Sequence, residues 1–239
     1  MEYVIRVMDL NIKLKCNYEM LRNRISKYLV TDDNVTIDFT IDYQDDFLFK
    51  EASKNPHLKM EEVEYILTSY IFYRKILDYN AMLIHSSSVV VDGKAYSFSA
   101  DSGVGKSTHT SLYLRYLPNS YIINDDKPAY RLIDKKIYVY GTPWSGKNDI
   151  SENEKVPLQG LCFIARGKNN KIRKLSHKEA IEKIIKQTLV VHNTTFLNKL
   201  FDLLNEILLT YNVYEIECDI SKEAFEMSYN TLKEDSYEN

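Results

Sequence analysis

The chain has 239 residues, an apolar fraction of 44% and a formal net charge of −3, enough to bury a sizeable core in one large domain or in a domain with an appendage. A mildly acidic balance without any basic cluster argues against nucleic acid or an anionic membrane as the main partner. No stretch is apolar enough to cross a bilayer, and Cys16, Cys162 and Cys218 lie far apart with no metal-ligand or redox spacing, so the expected setting is reducing and cytoplasmic.

Over the first 80 residues, apolar alternation and periodicity predict short strands at 3–7 and 12–14, a helix at 18–29 and a half-exposed strand at 35–41. A longer helix is predicted over 60–79, with Val63, Ile66, Leu67, Tyr70, Ile71 and Ile76 along one face, which reads as core. Residues 1–80 thus read as a small α+β lobe that closes over a ligand or receives a substrate.

At residue 81 the pattern changes. A β-rich run over 82–91, the turn signal Asp92-Gly93 and a strand at 95–98 make a hairpin, which predicts a mixed sheet. The hairpin runs into Ser-Ala-Asp-Ser-Gly-Val-Gly-Lys-Ser-Thr at 99–108, and a helix is predicted over 106–117. Strand, glycine-rich loop and helix in this order form a phosphate-binding loop, in which backbone N–H groups converge on phosphate oxygens at a helix N-terminus. Ser102, Gly103, Val104, Gly105, Lys106, Ser107 and Thr108 are the expected nucleotide-binding residues. Lys106 would reach the β- and γ-phosphates, and the Ser107 hydroxyl would complete a Mg²⁺ shell. Ala100 stands where such loops usually have their first glycine, and it fits there if its φ is negative.

After Pro118-Asn119 a short strand at 121–123 ends in Asn124-Asp125-Asp126. Such a strand is expected beside the loop strand, which brings its acids to the metal and the γ-phosphate. Strands at 130–133 and 137–140 pair around Asp134-Lys135, a Gly-Thr-Pro-Trp-Ser-Gly-Lys loop spans 141–147, and a strand at 161–165 ends in Arg166-Gly167. A strand at 172–175, a helix from a Ser176/Glu179 capping box to 189, a helix at 195–210, a strand at 213–218 and a polar helix from 221 follow.

His85 at a strand end, the loop SGVGKST, the Asp125-Asp126 pair and the hairpins on either side resemble the catalytic domain of the HPr kinase/phosphorylase and phosphoenolpyruvate carboxykinase superfamily. The similarity is greater to the HPr-kinase-like branch that shares His-Ser-Ser, here at 85, Asn-Asp-Asp-Lys-Pro, at 124, and Gly-Thr-Pro-Trp, at 141. It covers roughly residues 81–189. The resemblance implies an α/β fold, with a mixed-sheet phosphate-loop domain over 81–239 behind the 1–80 lobe. It also implies Mg²⁺ or Mn²⁺, ATP or a related nucleotide, and assembly as a homo-oligomer. An oxaloacetate-binding segment and the segment associated with phosphorolysis are not recognisable, which disfavours a carboxykinase and a reverse phosphorylase.

Phosphoryl transfer needs the γ-phosphate held, its charge neutralised and an acceptor oxygen placed in line. Asp125 would bind the metal directly or through water, and Asp126 is the candidate base for the acceptor hydroxyl. His85 orients or exchanges a proton near Asp126, binds a second metal as the resemblance implies, or is a satisfied core histidine. Trp144 either stacks on an adenine or is a buried indole. Lys147 would reach an anionic group, and Arg166 either stabilises transferring charge or sits on the surface. His109, His177 and His192 read as solvent or packing positions. The expected activity is a nucleotide-dependent kinase acting on a hydroxyl of a small protein, a peptide or a metabolite; the alternatives are a nucleotide-binding switch without transfer and a carboxykinase-type enzyme.

Overall fold

The computed structural model describes residues 1–32, 34–167 and 169–235. Strands β1 (Glu2–Val7) and β2 (Leu10–Lys15) form a hairpin whose turn places Met8 and Asp9 at positive φ, the conformation that matches strand twist in two-residue turns. Helix α1 (Glu19–Arg24) is followed by a separate 3₁₀ turn, Ser26–Tyr28, so the helix expected over 18–29 is broken at Ile25. Strand β3 (Phe39–Ile41) joins β2 in parallel and is shorter than the expected strand. Helix α2 (Asp45–Lys54) has no counterpart among the sequence expectations. It buries Leu48 while Phe47 and Phe49 stay exposed, so its apolar residues do not form the usual stripe.

Helix α3 (Met60–Lys75) forms as expected, and of the residues read as core Val63 and Ile76 are buried and Leu67 and Ile71 are partly buried, but two others are not. Tyr65, Thr68, Phe72 and Tyr73 are buried, whereas Ile66 and Tyr70 are 49% and 41% exposed. Aromatic residues outweigh the aliphatic stripe because Trp144 lies on this face: its ring stacks on Phe72 at 4.4 Å and its indole N–H donates to Thr68 Oγ1 at 3.1 Å. The excluded Ile66 and Tyr70 line an open cavity of about 790 Å³ between α2 and α3.

The central sheet begins with β4 (Ala81–Leu83), β5 (Ser86–Val91) and β6 (Lys94–Ser99), the last two forming the predicted antiparallel hairpin. Helix α4 (Lys106–Tyr116) leads to β7 (Tyr121–Asp126), followed by the hairpin β8 (Ala129–Ile133) and β9 (Lys136–Tyr140). The long strand β10 (Lys155–Arg166) pairs antiparallel with β9 through its first residues and parallel with β6 further on. Its later half also pairs in parallel with β12 (Val213–Cys218), which carries β11 (Lys171–Lys174) on its other side. The order β4-β8-β9-β10-β6-β5-β7 corrects one expectation: β7 is separated from the loop strand β6 by β5. Because β5 is antiparallel to both, β6 and β7 run the same way and end at the same edge.

Helices α5 (His177–Lys186) and α6 (Thr194–Thr210) cover one face of the sheet, with Ile184, Leu204 and Ile207 against Leu161 and Phe163. Helices α4 and α7 (Lys222–Glu234) cover the other, where Tyr113 and Phe225 meet Phe98, Ile164 and Ile216. The alternation of Leu161, Cys162, Phe163 and Ile164 between these clusters is that of a strand buried on both faces. A third cluster joins the first segment to the rest, since Ile5, Ile12, Leu21 and Phe72 pack with Ala81, Ala129, Tyr140 and Trp144. All three cysteines are buried and unpaired. No helix among the described residues is long and apolar enough to cross a membrane.

His109 is a packing residue, as expected: it is 3% exposed, lies against Phe98 and is within 3.0 Å of Ser228 Oγ. Burial pushes its pKa down to about 4. An unfolded histidine takes up its proton below about pH 6.5, and the folded one resists, so this site loses stability as pH falls through that window. Between pH 7 and pH 5 the loss from His109 should be about 2 kcal/mol. Denaturant unfolding at the two pH values should show a smaller pH dependence for His109→Gln than for the wild type; equal slopes would mean that the imidazole is readily protonated in the folded protein.

Candidate functional site

The site is built on β5. Ser86 faces Ser99 of β6 on one side and Asp126 of β7 on the other, and Ser87 likewise faces Phe98 and Asp125. Ser86, Ser87 and Ser88 are fully buried, and Ser87 Oγ meets Thr110 Oγ1 of α4 at 3.0 Å. Ser86 and Ser88 turn the other way, to the Tyr130 hydroxyl, so it is the small Ser87 side chain that lets α4 lie close over β5. Ser107, one turn ahead of Thr110, therefore reaches across β5 to Asp125, donating to its two oxygens at 2.9 and 3.2 Å.

The glycine loop lies between β6 and α4. Gly103 and Gly105 have φ of 75° and 130°, a region that side chains strongly disfavour, and Ala100 is not among the residues with positive φ. The Val104 N–H donates to Asp101 C=O at 3.2 Å, so it is engaged within the loop rather than free for a ligand. Helices α5, α6 and α7 open on side-chain caps from Ser176, Asn193 and Ser221, whereas α4 opens on Gly105 without one. Its first backbone bond runs from His109 N–H to Gly105 C=O, which leaves the amides of the first turn without a carbonyl of the helix to meet. Ser102, Ser107 and Thr108 are exposed. Lys106 folds back so that its ammonium donates to Ala100 C=O at 3.0 Å. Burial lowers its pKa, against the opposing charges of Asp126, Asp125 and Asp101.

His85, between β4 and β5, brings its Nε2 to 2.5 Å from Asp126 Oδ1. Its Nδ1 lies 3.3 Å from Gln187 Oε1, and the Gln187 amide donates to Asp101 of the loop at 2.8 Å. Asp126 and the loop are thus joined by one polar chain, Asp126–His85–Gln187–Asp101. Burial pushes the Asp126 carboxyl up, but the hydrogen bond and charge of His85, with Lys127 and Lys106, bring it below its ordinary value. Asp126 Oδ2 has no hydrogen-bond partner among the described residues. Its φ of 129° is strained for a side-chain-bearing residue.

The acidic turn is clamped from two directions. Tyr73 donates to Lys127 C=O, Asn124 Oδ1 accepts from Lys127 N–H at 2.8 Å, and the Gly146 N–H donates to Asp125 C=O at 2.5 Å. Arg24, from the first segment, donates to the carbonyls of Ser145 and Gly146 and pairs with Asp149 at 3.3 Å. Tyr65 donates to Ser145 C=O at 2.5 Å, while Arg24 and Lys127 approach its ring at 4.8 and 4.9 Å. Burial lowers the pKa of Lys127, with Asp126 pulling it up and Arg24 pushing it down. Gln187, Arg24, Tyr65 and Lys127 escaped the sequence reading as site residues. Only Lys127, adjacent to the acids in Asn-Asp-Asp-Lys-Pro, carried a local signal.

Three expected contacts are corrected or refined. Trp144 is fully buried against Phe72, so its indole has no surface to offer a nucleotide. Lys147 follows Gly146 on the exposed side of the loop and makes no hydrogen bond or ion pair among the described residues. Arg166 turns toward the loop, where its guanidinium donates to the carbonyls of Val104, at 3.3 Å, and Gly103. It braces the loop's backbone from the side away from the acids.

No group of three or more His, Cys, Asp or Glu side chains able to hold a metal ion exists among the described residues. The Ser107 hydroxyl against the Asp125 carboxylate nevertheless suits Mg²⁺ or Mn²⁺, hard cations that take most of their ligands from substrate phosphates and water.

No protein-family model matches the chain, and no curated protein matches it either. Among solved structures, the chain is similar to the Hpr(Ser) kinase/phosphatase from Coxiella burnetii, with a TM-score of 0.37 and 11% identity, over 62% of this chain and 93% of that one.

Gly146 lies so near the acidic turn that a Cβ there would stand 2.8 Å from Asp125 O and 3.4 Å from Asp126 Cβ. Gly146→Ala should therefore cost about 1–3 kcal/mol through overpacking, read as a lowered denaturant midpoint. An unchanged midpoint would show that the 141–149 loop is not held against Asp125.

Proposed function

We propose that the chain is a nucleotide-dependent phosphotransferase that moves the terminal phosphoryl group of ATP or a related nucleotide to a hydroxyl acceptor. The single observation that carries this reading is the contact of Ser107 with Asp125 at the mouth of the glycine loop, with the Asp126–His85 pair at the same sheet edge. A loop that only capped a helix would need neither acid.

In this reading the uncapped amides of α4 and the Lys106 ammonium hold the β- and γ-phosphates. Lys106 exchanges the Ala100 carbonyl for phosphate oxygens, which costs one neutral hydrogen bond and gains charge-assisted ones. Ser107 and Asp125 would hold the cation, which when bound neutralises charge on the transferring phosphoryl group. His85 fixes one oxygen of Asp126, and Oδ2 remains to take the acceptor's proton as the acceptor oxygen forms its bond to phosphorus and the bond to the nucleoside diphosphate breaks. A carboxyl held below its ordinary pKa is ionised at neutral pH and ready for that role. The acceptor is a hydroxyl of a small protein, peptide or metabolite.

A second reading, a nucleotide-binding switch without transfer, draws support from the clamp: Tyr65 and Tyr73 of α3 touch the acidic turn, so a filled site would be felt in the first segment. Two variants separate the readings. Lys106→Ala should abolish nucleotide binding by calorimetry, and retained affinity would show that the loop is no phosphate cradle. Asp126→Asn should keep binding but lower transfer of labelled γ-phosphate to serine, small metabolites or short Ser-containing peptides by roughly 10²–10⁴-fold. Turnover unchanged by that variant would remove Asp126 as the base, and a wild type that binds nucleotide without transferring it would favour the switch.

A further inference from the structure

Lys127, the residue after the two acids, holds a cation that is paired with no anion. Its ammonium makes no hydrogen bond or ion pair among the described residues and lies over the Tyr65 ring, 4.9 Å from the centroid. We propose that Lys127 receives a carboxylate of the phosphoryl acceptor, so that the acceptor is a small hydroxy acid whose hydroxyl faces Asp126. The proposal rests on the phosphotransferase reading above and narrows its acceptor.

The position of this cation is set at both ends. Lys127 N–H donates to Asn124 Oδ1 at 2.8 Å, and its C=O accepts from Tyr73 and, at 2.8 Å, from Thr142 Oγ1. Pro128 follows, which disfavours a helical conformation at Lys127. At the far end of the side chain Tyr65 is 8% exposed and donates to Ser145 C=O, so the ring beneath the ammonium is itself anchored. A partly buried ammonium gives up some of its hydration and recovers it only from a partner. Arg24 shows the contrast. It approaches the same ring at 4.8 Å, but its guanidinium donates to the carbonyls of Ser145 and Gly146 and pairs with Asp149. Asp126 is near enough to act on Lys127, yet that carboxylate is already joined to His85 through Oδ1.

Two lysines flank Asp126. Lys106 belongs to the glycine loop, with its ammonium on Ala100 C=O and with Asp126, Asp125 and Asp101 as the charges that act on it. Lys127 stands against the first segment, where the charges that act on it are those of Asp126 and Arg24. In-line transfer puts the acceptor on the far side of the phosphoryl group from the nucleoside diphosphate, hence away from the loop. Phosphates therefore meet Lys106, and the acceptor meets Lys127.

The charge and size of the acceptor follow. One uncompensated ammonium matches one negative charge, as a carboxylate supplies, whereas a phosphate dianion beside Asp126 and the γ-phosphate would leave a surplus. Asp126 and Lys127 are consecutive residues, so the hydroxyl and the carboxylate they take belong to one end of one molecule. That is the pattern of a hydroxy acid. Its hydroxyl oxygen bonds to the γ-phosphorus as its proton passes to Asp126 Oδ2 and the bond to the nucleoside diphosphate breaks, while the carboxylate stays on Lys127 unchanged.

Transfer of labelled γ-phosphate from ATP with Mg²⁺ tests this on glycolate, lactate and glycerate against their neutral counterparts ethylene glycol, 1,2-propanediol and glycerol. In the wild type the acids should exceed the alcohols in kcat/KM by about tenfold or more. Lys127→Met should remove that preference chiefly through KM, and Lys127→Arg, which keeps the charge, should retain most of it. Equal use of acid and alcohol by the wild type, or an unaltered preference in Lys127→Met, overturns the assignment. So does a fall in ATP affinity, measured by calorimetry, as large as the loss of preference in Lys127→Met, since it would place the ammonium at the phosphates. If the wild type transfers to peptides or neutral acceptors but to none of the acids, the role of Lys127 falls and the phosphotransferase stands. If it binds ATP and transfers to no acceptor of any kind, both fall.

Discussion

The close approach of α4 to β5, permitted by the buried Ser87, is the constraint on which the rest of the structure depends. Any larger residue at Ser87 would meet Thr110 and lift the helix, and Ser107 would then lose its reach to Asp125. The acids stand two strands from the loop strand, roughly 9–10 Å across at ordinary strand spacing. Only a helix lying low over the intervening strand can span that gap with a side chain as short as serine. The same register aligns Asp126, Ser86 and Ser99 in one row, and Ser99 Oγ donates to His85 C=O at 2.8 Å, which holds the residue that in turn holds Asp126.

The first segment gains its purpose from the turn it grips. Arg24, Tyr65 and Tyr73 each donate to main-chain carbonyls of 127 or 145–146, so side chains from α1 and α3 set backbone positions at the acids. The buried Glu64, on the same helix α3, accepts from the N–H groups of Asn17 and Tyr18 and from the Tyr43 hydroxyl. One helix thus binds the chain ahead of α1 and α2 on one side and the acidic turn on another.

What the sequence made legible is what turn chemistry and local order determine. The glycine loop, the hairpins about Asp92-Gly93 and Asp134-Lys135, the Ser176/Glu179 cap and the acid pair at a strand end all follow from neighbours in the chain, and each is found. What was not legible comes from partners far apart. Nothing near Asp125 says that β5, rather than β6, will lie beside its strand, because an antiparallel hairpin can enter a sheet by either of its strands. Gln187 sits past the end of a helix, yet it joins His85 to Asp101. The inward face of α3 differs from the expected one at Ile66 and Tyr70 because apolar periodicity ranks Ile66 above Thr68, whereas a buried indole needs a hydroxyl acceptor and an aromatic plane, which Thr68 and Phe72 supply. Pairing between distant segments, and the polar needs of the largest side chain, are invisible to a window of local sequence.

The two adjacent carboxylates raise a final point of geometry. In a regular strand, successive side chains point to opposite faces, so Asp125 and Asp126 should not serve one site. The chain departs from that rule at Asp126, whose φ of 129° breaks the pleat at the last residue of β7. That conformation is costly for any residue with a Cβ, and it persists only where the surroundings dictate it. They do so here on each side: Lys127 is held at both its N–H and its carbonyl, by Asn124 and Tyr73, and the Asp125 carbonyl is held by Gly146. Asn124, fully buried with its amide on Thr142 and Ser151, anchors that arrangement to the following loop. The strain at Asp126 is thus sustained by the same clamp that positions Asp125. The pair can then divide its work, one carboxylate toward Ser107 of the loop helix and the other toward His85.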